Sequence, residues 1–394
     1  MNELNGQNRA QNLVSQCLNR AWKKSCIGMI MVLSLPMLAH GQLSGPGKEA
    51  LAPASMARMQ QQVAAASTRA PAWNGPQSGP VGATGKAVAI LSDDLRNGGI
   101  LAVAQGIQEA AKVLKWRVKV FDAGGSPAGR SKAGADALAS HPDGLILVGA
   151  DAKVMTPQLL PFSQQGIPIV GWHVGPKTGP VANSPVAMNV STDPLEVARI
   201  TAMAAVVAAK GRAGVVIFTD SNFEIAMAKA NAMADVIRAC KECTLLEIRD
   251  VAISKNAELM PAVTRDLLAR YGKRWTHALA INDIYFDYAV PELIKAGQAS
   301  GGISLLSAGD GSAAAFMRIQ AGTFQSGTVA EPLNLHGWQL VDELNRRLMN
   351  QSVSGYVIPV HLVTTDNIAF DGGPHFQYDP DNGYRDIYRR IWKQ

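Results

Sequence analysis

The feature that most constrains the fold is a regular alternation of apolar, strand-like runs with helix-like segments, which begins at residue 86 and then repeats. The first series of predicted strands is AVAIL, RVKVFDAG, GLILVGA and IPIVGWH, and the second is AGVVIFTD, TLLEIRDVAI, HALAIND, ISLLSAGDG and FQSGTVA. Strands this apolar, separated by helices, are typical of parallel sheets covered on both faces. A chain of 394 residues has room for two such α/β units.

Composition and charge narrow the class of partner. The chain has 47% hydrophobic and 17% charged residues, which is the composition of a folded globular protein. Its formal net charge is +6, and half of that excess comes from residues 1–41. We find no basic run that could follow a phosphate backbone, and therefore expect no nucleic-acid partner.

The N-terminal region has the pattern of a secretory signal. Arg20 and Lys23–Lys24 precede CIGMIMVLSLPMLAHG, an apolar run that is too short to span a bilayer comfortably and ends in small residues. We predict a signal peptide over residues 1–41, cleaved near Gln42, with an uncleaved membrane anchor as the alternative. Residues 42–85 are rich in Pro, Gly, Ala, Ser and Gln, which predicts an extended leader with Trp73 as its anchor. Within it, KEALAPASMARMQQQVAAAS (residues 48–67) is expected to form a loose helix.

Two of the four cysteines, Cys240 and Cys243, lie beyond the predicted signal peptide. A redox-active Cys-x-x-Cys pair normally opens a helix, whereas these two follow one. A zinc site would need two further ligands, and none is nearby in the sequence. In an oxidising compartment a structural disulfide between them is the preferred interpretation, and two free thiols are the alternative.

Polar side chains gather where the predicted strands end, and in open parallel sheets ligands bind at the carboxyl ends of the strands. The candidates there are Asp93, Asp94, Arg96, Asn97, Asp122, Asp151, His173, Asp220, Asn222, Asn282, Asp283, Asp310 and Glu331. Asp93 and Asp94 are adjacent on a strand end, so they point apart and would not share a proton. Phosphate-loop and nucleophile-elbow motifs are missing, and the histidines lack metal-binding spacing. We expect a binding pocket for a polar ligand, with no catalytic residues, metal or cofactor.

Over about residues 86–365 the chain resembles the type I periplasmic solute-binding proteins of ABC transporters, in the branch that includes the ribose-binding proteins. The same core occurs in effector domains related to the lactose repressor. The segments that carry the resemblance are VAILSDDLRNGG…GIQEAAK, VKVFDAGGSPA, DGLILVGAD, GIPIVGWH, ALAIND, SAGDG and GTVAEP. The resemblance implies an α/β fold of two Rossmann-like lobes with parallel sheets, joined by a three-segment hinge and closing on a ligand.

The same resemblance implies where the lobes divide. The N-terminal lobe is expected over residues 86–191 plus 332–362, and the C-terminal lobe over 192–331 plus 363–394. The hinge crossings are expected near Val190–Asp193, Ala330–Leu333 and His361–Thr365.

Carried over position by position, the resemblance implies eight ligand-binding residues. They are Arg96, Trp172, His173, Phe223, Lys229, Asn282, Asp310 and Glu331. Four of them have simpler interpretations: core packing for Trp172, bonding to backbone groups for His173, helix capping for Asp310 and a solvated helix face for Lys229.

Gly98 and Gly99 stand where ribose binders place stacking aromatic residues, and Trp172, Phe223 and Tyr285 could replace that surface. The missing aromatics leave room for a ligand bulkier or more polar than ribose. Hydroxyls of a sugar would suit the polar residues of the second half and hinge, whereas three basic residues (Arg96, His173 and Lys229) would suit a carboxylate or phosphate. The ligand class therefore stays open at this stage.

The function implied is the periplasmic substrate-binding component of an ABC importer, a monomer that captures a sugar or similar small polar solute for a membrane permease. A binding protein that presents its solute to a membrane receptor is the alternative. A transcriptional regulator would need a helix-turn-helix before the core, and residues 1–85 show a signal-like segment and a leader instead.

Overall fold

The computed structural model describes residues 53–69, 72–298, 302–372 and 375–394. The predicted signal peptide and the first part of the leader, residues 42–52, lie outside the described residues. Within the described part, no helix is both long enough and apolar enough to cross a membrane.

Eleven described strands form two separate sheets. The first sheet has the order β2-β1-β3-β4-β5 and is parallel throughout. Its strands are β1 (Ala87–Ser92), β2 (Arg117–Asp122), β3 (Gly144–Val148), β4 (Ile169–Trp172) and β5 (Val186–Val190). The second has the order β11-β10-β9-β8-β6-β7, and only β11 is antiparallel. Its strands are β6 (Gly214–Thr219), β7 (Thr244–Asp250), β8 (His277–Ala280), β9 (Ser304–Ser307), β10 (Gln325–Val329) and β11 (Leu362–Thr364).

The helices cover both faces of each sheet. They are α1 (Pro53–Ala66), α2 (Gly98–Val113), α3 (Pro127–Ala139), α4 (Thr156–Gln164), α5 (Pro194–Ala208), α6 (Glu224–Ala239), α7 (Asn256–Tyr271), α8 (Ile284–Lys295), α9 (Ala313–Gln320), α10 (Leu333–Leu348), α11 (Ile368–Asp371) and α12 (Tyr384–Trp392). The predicted α/β fold with two lobes is confirmed.

Strand β3 shows why the apolar runs fold as central strands. Leu145 and Leu147 pack into a core with α3 and α4, whereas Ile146 and Val148 point the other way, into a core with α2 and α10. Successive side chains of a strand face opposite sides, so a strand that is covered twice must be apolar at every position.

Polar residues fix where the helices begin, which in turn sets the loops at the cleft. Asn97 caps α2 by accepting a hydrogen bond from the Gly99 amide, and Asp193 caps α5, whose first residue is Pro194. Such caps satisfy amide groups that have no partner inside the helix. Helix α2 therefore starts immediately after the loop that follows β1.

Between Trp73 and Gly372, three segments join the lobes, near the crossings that the resemblance implied. Residues 191–193 run from β5 to α5, and residues 330–332 run from β10 to α10. The third follows α10: Ile358 still packs in the first-lobe core, while β11 is already paired with β10 in the second sheet.

The assignment of residues 363–394 to the C-terminal lobe is wrong for its last helix. Tyr384, Tyr388 and Trp392 of α12 are buried in the first-lobe core. The Trp392 ring stacks on Trp338 with 5.5 Å between centroids, and its indole nitrogen donates to Asp342 at 2.8 Å. The tail thus returns to the first lobe because its aromatic face completes the outer side of α10.

The leader is only partly extended. Its residues 53–66 form α1, which packs on α5 of the second lobe through Met59 and Ala66. Trp73 then contacts the rings of Tyr356 and Tyr388 at 5.2 and 5.5 Å, so the predicted anchor lies on the first lobe.

Cys240 and Cys243 are joined by a disulfide immediately after α6. It closes a loop of the second lobe on the side of Gly211, whose carbonyl oxygen lies 3.3 Å from the Cys240 sulfur. The structure therefore selects the disulfide over two free thiols.

Candidate ligand-binding site

The candidate site is a cavity of about 260 Å³ between the lobes, at the carboxyl ends of the strands. Segments that follow β1, β2, β3 and β4 line one side, and segments that follow β6, β7, β8 and β9 line the other. Pockets for drug-sized ligands usually measure roughly 300–1,000 Å³. This cavity therefore suits a small solute.

The lobes touch across this cavity. Lys153 Nζ of the first lobe lies 2.5 Å from Glu224 Oε1 of the second. The Arg130 guanidinium lies over the Phe223 ring, 5.8 Å from its centroid. The structure is therefore that of closed lobes.

The glycine pair at the start of α2 permits this close approach. A Cβ atom on Gly99 would lie 2.3 Å from Asp310 Oδ2, and one on Gly98 would lie 3.1 Å from the Ser312 Cβ. The space left by the missing aromatics is thus filled by the second lobe. The expectation that it leaves room for a bulkier ligand is wrong.

Six of the eight predicted binding residues line the cavity: Trp172, His173, Phe223, Lys229, Asn282 and Asp310. Lys229 is 3% exposed, which excludes a solvated helix face. Ser312 caps α9, so Asp310 is not its cap. Asn282 Oδ1 is buried without a hydrogen-bond partner, which leaves it as an acceptor for a ligand.

Arg96 does not line the cavity, and this prediction is wrong. Its side chain is 66% exposed, and its guanidinium bonds Asp94 at 2.6 Å. Asp94 also accepts from the Arg96 backbone amide, so the turn after β1 folds the side chain back over Asp94. The backbone of Arg96 thus lies near the cavity, at the end of β1, but its guanidinium group points outward to solvent.

Arg130 takes the place expected of Arg96. It extends from α3 into the cavity lining, and its Nε donates to Asp93 Oδ1 at 2.6 Å. Burial raises the pKa of Asp93, an effect that Arg130 opposes. Asp93, which the sequence pattern left among many candidates, is thus a buried cavity residue with a paired charge.

Glu331 lies behind the cavity and not on its wall, contrary to the prediction that it contacts the ligand. It is fully buried, and its carboxylate lies 2.9 Å from His173 Nε2, within hydrogen-bond distance. Lys229 Nζ is 3.8 Å from Glu331 Oε1. Burial would raise the pKa of Glu331, but His173 and Lys229 outweigh this and lower the pKa to about 2.

Asp310 and His173 form the part of this group that faces the cavity. Asp310 Oδ1 lies 3.9 Å from His173 Nδ1. Burial raises the pKa of Asp310 to about 8, against the attraction of Lys229. Burial also lowers the pKa of His173, so its ring is neutral at pH 7. The group therefore holds one ion pair, Lys229 with Glu331, beside two neutral polar side chains.

His173, Asp310 and Glu331 are also residue types that bind metal ions, and one ligand atom of each lies within 4.8 Å of the others. The ammonium group of Lys229 already supplies a positive charge 3.8 Å from Glu331. A metal ion here would be repelled by Lys229, so we assign none.

The aromatic wall is smaller than predicted. The Trp172 ring is almost fully buried and stacks on His173 with 3.7 Å between centroids, so it serves both the core and the cavity. Tyr285 does not reach the cavity lining: it is buried against Phe218 and donates to the Val251 carbonyl. Phe223 and Trp172 remain as the aromatic surfaces available to a ligand.

A comparison with protein families gives one match that covers most of the chain. The family described as "Periplasmic binding protein domain" matches residues 88–352. The chain belongs to the periplasmic binding protein family. A comparison with curated proteins found no match.

Solved structures share the fold of this periplasmic binding protein at low sequence identity. An ABC sugar transporter subunit from Rhodobacter sphaeroides 2.4.1 has a TM-score of 0.62 at 20% identity, covering 72% of this chain and 99% of that one. An ABC transporter solute-binding protein from Agrobacterium vitis, with bound α-D-tagatopyranose, has a TM-score of 0.66 at 15% identity, covering 74% and 99%. The myo-inositol-binding protein of Caulobacter, bound to myo-inositol, has a TM-score of 0.63 at 19% identity, covering 72% and 95%. At these identities the likeness concerns the fold.

The stability of this periplasmic binding protein should depend on pH through the titration of Asp310. Its pKa is about 8 in the folded chain, above the ordinary value, so the folded state holds the proton more tightly than the unfolded state does. Wild-type stability should therefore fall between about pH 4 and pH 8, by at most about 1.4 kcal/mol per pH unit for one proton, and this contribution levels off above pH 8. Asn cannot titrate, so the stability of Asp310→Asn relative to wild type should rise over that interval.

Denaturant unfolding of both proteins at about pH 5, 7 and 9 checks this. The charged groups that face Asp310 are Lys229, Glu331 and Asp283, and both proteins retain all three. Parallel stability profiles for wild type and Asp310→Asn would show that Asp310 is ionised throughout.

Proposed function

We propose that this chain is the substrate-binding component of an ABC importer, which captures an uncharged sugar or polyol by lobe closure and releases it unchanged. The observation that carries this proposal is the closed cavity between the carboxyl ends of two sheets, with buried polar groups from both lobes. Lobe closure around a small ligand is a recurrent use of such hinged domains. Structures of the same fold hold α-D-tagatopyranose and myo-inositol, which supports this ligand class.

The charges around the cavity support an uncharged ligand. Arg130 is paired with Asp93 at 2.6 Å, and Lys229 is balanced by Glu331. Of the other basic residues considered for an acidic ligand, Arg96 points outward and is paired with Asp94, and His173 is bonded to Glu331. Lys255 also lines the cavity, but it is an exposed residue. A buried carboxylate or phosphate would need a buried cation not already committed to a carboxylate, because burying an unpaired charge is costly.

Capture without chemistry is part of the proposal. His173, whose Nε2 is bonded to the fully buried Glu331, is the natural candidate for a general base, but such a base needs a nucleophile to activate. Among the described residues, no serine, threonine or cysteine side chain is hydrogen-bonded to it. Export through the predicted signal peptide, a periplasmic location, a monomeric state and delivery to a membrane permease complete the proposed role.

A thermal-shift screen of the full-length chain tests the function. Neutral sugars and polyols, including D-galactose, allitol and myo-inositol, are compared with D-galacturonate, sugar phosphates and amino acids. A ligand at about 100 times its Kd stabilises by roughly 2.7 kcal/mol, so at least one neutral compound should raise the Tm by several degrees.

Two outcomes would contradict the proposal. One is a panel in which only acids, phosphates or amino acids raise the Tm. The other is recovery of a chemically altered solute after prolonged incubation, read by mass spectrometry, which would indicate an enzyme.

A further inference from the structure

The contact between His173 and Glu331 determines which ring nitrogen of His173 carries the hydrogen. His173 Nε2 lies 2.9 Å from Oε2 of Glu331 and also 2.9 Å from Oε1. Oε2 makes the hydrogen bond to this ring nitrogen, whereas Oε1 lies at the same distance without a hydrogen bond. An ionised carboxylate can only accept hydrogen bonds, so Nε2 must carry the hydrogen.

Neighbouring groups keep Glu331 in the ionised form that this arrangement requires. Lys229 Nζ is 3.8 Å from Oε1 of Glu331, and it also donates to the Ala308 carbonyl at 2.8 Å. Glu331 is fully buried, and its nearest positive charge is thus itself held in place. Attraction between such groups is strong where water is excluded.

The plane of the His173 ring is fixed as well. The ring stacks on Trp172 with an interplanar angle of 9°, and Trp172 is held by a hydrogen bond from its indole nitrogen to His336 Nδ1 at 3.1 Å. With Nε2 turned to Glu331, Nδ1 lies on the Asp310 side, 3.9 Å from Oδ1. Both His173 and Asp310 line the cavity.

We propose that Glu331 is a positioning residue that holds His173 with its proton on Nε2, so that Nδ1 and the Asp310 carboxyl group together recognise one hydroxyl of the ligand. A neutral imidazole offers an acceptor at Nδ1, and a protonated carboxyl group offers a donor. One hydroxyl oxygen placed between them donates to Nδ1 and accepts from Asp310. A carboxylate can only accept and an ammonium group can only donate, so neither satisfies both partners.

Glu331 would thus affect ligand selectivity from the hinge, without contacting the ligand. That effect on the ligand rests on the proposed function, whereas the position of the proton does not. The proton can therefore be measured in the ligand-free protein, and a failure of the thermal-shift screen would leave that measurement intact.

Nitrogen-15 NMR of histidine-labelled full-length protein at about pH 7 tests the inference. The His173 signals are identified by their loss in His173→Gln. We expect a single tautomer with the hydrogen on Nε2 and none on Nδ1. A proton on Nδ1, or on both nitrogens, would overturn the proposal.

A double variant, Lys229→Met with Glu331→Leu, tests whether Glu331 controls the tautomer of His173. Removing both charges avoids leaving one of them buried and unpaired, which would be strongly destabilising. The double variant should show a substantial population with the hydrogen on Nδ1. Retention of the pure Nε2 tautomer would show that Glu331 does not control it. The wild-type spectrum decides the tautomer even where the variant is too unstable for NMR.

Discussion

Gly99→Leu is expected to weaken ligand binding by roughly a hundredfold while leaving the chain folded. A Cβ atom at this position would lie 2.3 Å from Asp310 Oδ2 and 2.6 Å from the Asp310 Cβ, so the lobes could not reach their closed approach. Two or three ligand hydrogen bonds from the second lobe, each contributing about 0.5–1.5 kcal/mol, would then be lost or lengthened. Gly99 lies within helix α2, where replacing glycine does not cost helical stability.

Calorimetric titration with the best solute of the screen measures this effect. Gln105→Leu is the matched control, because Gln105 is an exposed residue on the same helix and the change adds the same side chain. The control should bind as wild type does. Undiminished affinity in Gly99→Leu would contradict the role assigned to the glycine pair in closure.

Trp392→Ala is expected to destabilise the protein by about 3–5 kcal/mol, although it changes the third residue from the C-terminus. The Trp392 side chain is fully buried, stacks on Trp338 with an interplanar angle of 6°, and donates to Asp342 at 2.8 Å. Its removal leaves a cavity beside α10 and takes one partner from a buried carboxylate.

Denaturant unfolding of the full-length chain measures the loss. Arg390→Ala, on the exposed side of the same helix, should change stability by less than about 0.5 kcal/mol. If Trp392→Ala were as mild as this control, the C-terminal helix would not be part of the first-lobe core.

The strands that could be predicted from the sequence are those covered by helices on both faces, because such strands are apolar at every position. Strand β5 was missed, because Asn189 interrupts the pattern of that strand. Asn189 is fully buried, and its side chain bonds the Val174 amide and the Gly175 and Lys177 carbonyls. The prediction that the C-terminal tail belongs to the second lobe was wrong for a different reason. The pattern of α12 shows which of its faces is apolar, but not that Trp338 of the first lobe packs against that face.

For the site, the family resemblance named eight residues, of which six line the cavity, and the rule that ligands bind at strand ends located the cavity itself. It could not give side-chain direction, which for Arg96 is set by a local turn around Asp94. It also passed over Arg130, because this residue reaches the cavity from a helix. The space at Gly99 is filled by Asp310 from the other lobe, a contact that no local pattern reveals.

The central claim is that a small polyhydroxy solute is held between the closed lobes, and a crystal structure of the full-length chain with the best solute of the screen tests it most directly. We expect the solute in the cavity lined by Asp93, Asn282 and Asp310. One of its hydroxyl oxygens should lie within hydrogen-bond distance of both His173 Nδ1 and the Asp310 carboxyl group. A solute bound outside this cavity, or one held by the outward-facing Arg96, would contradict the account.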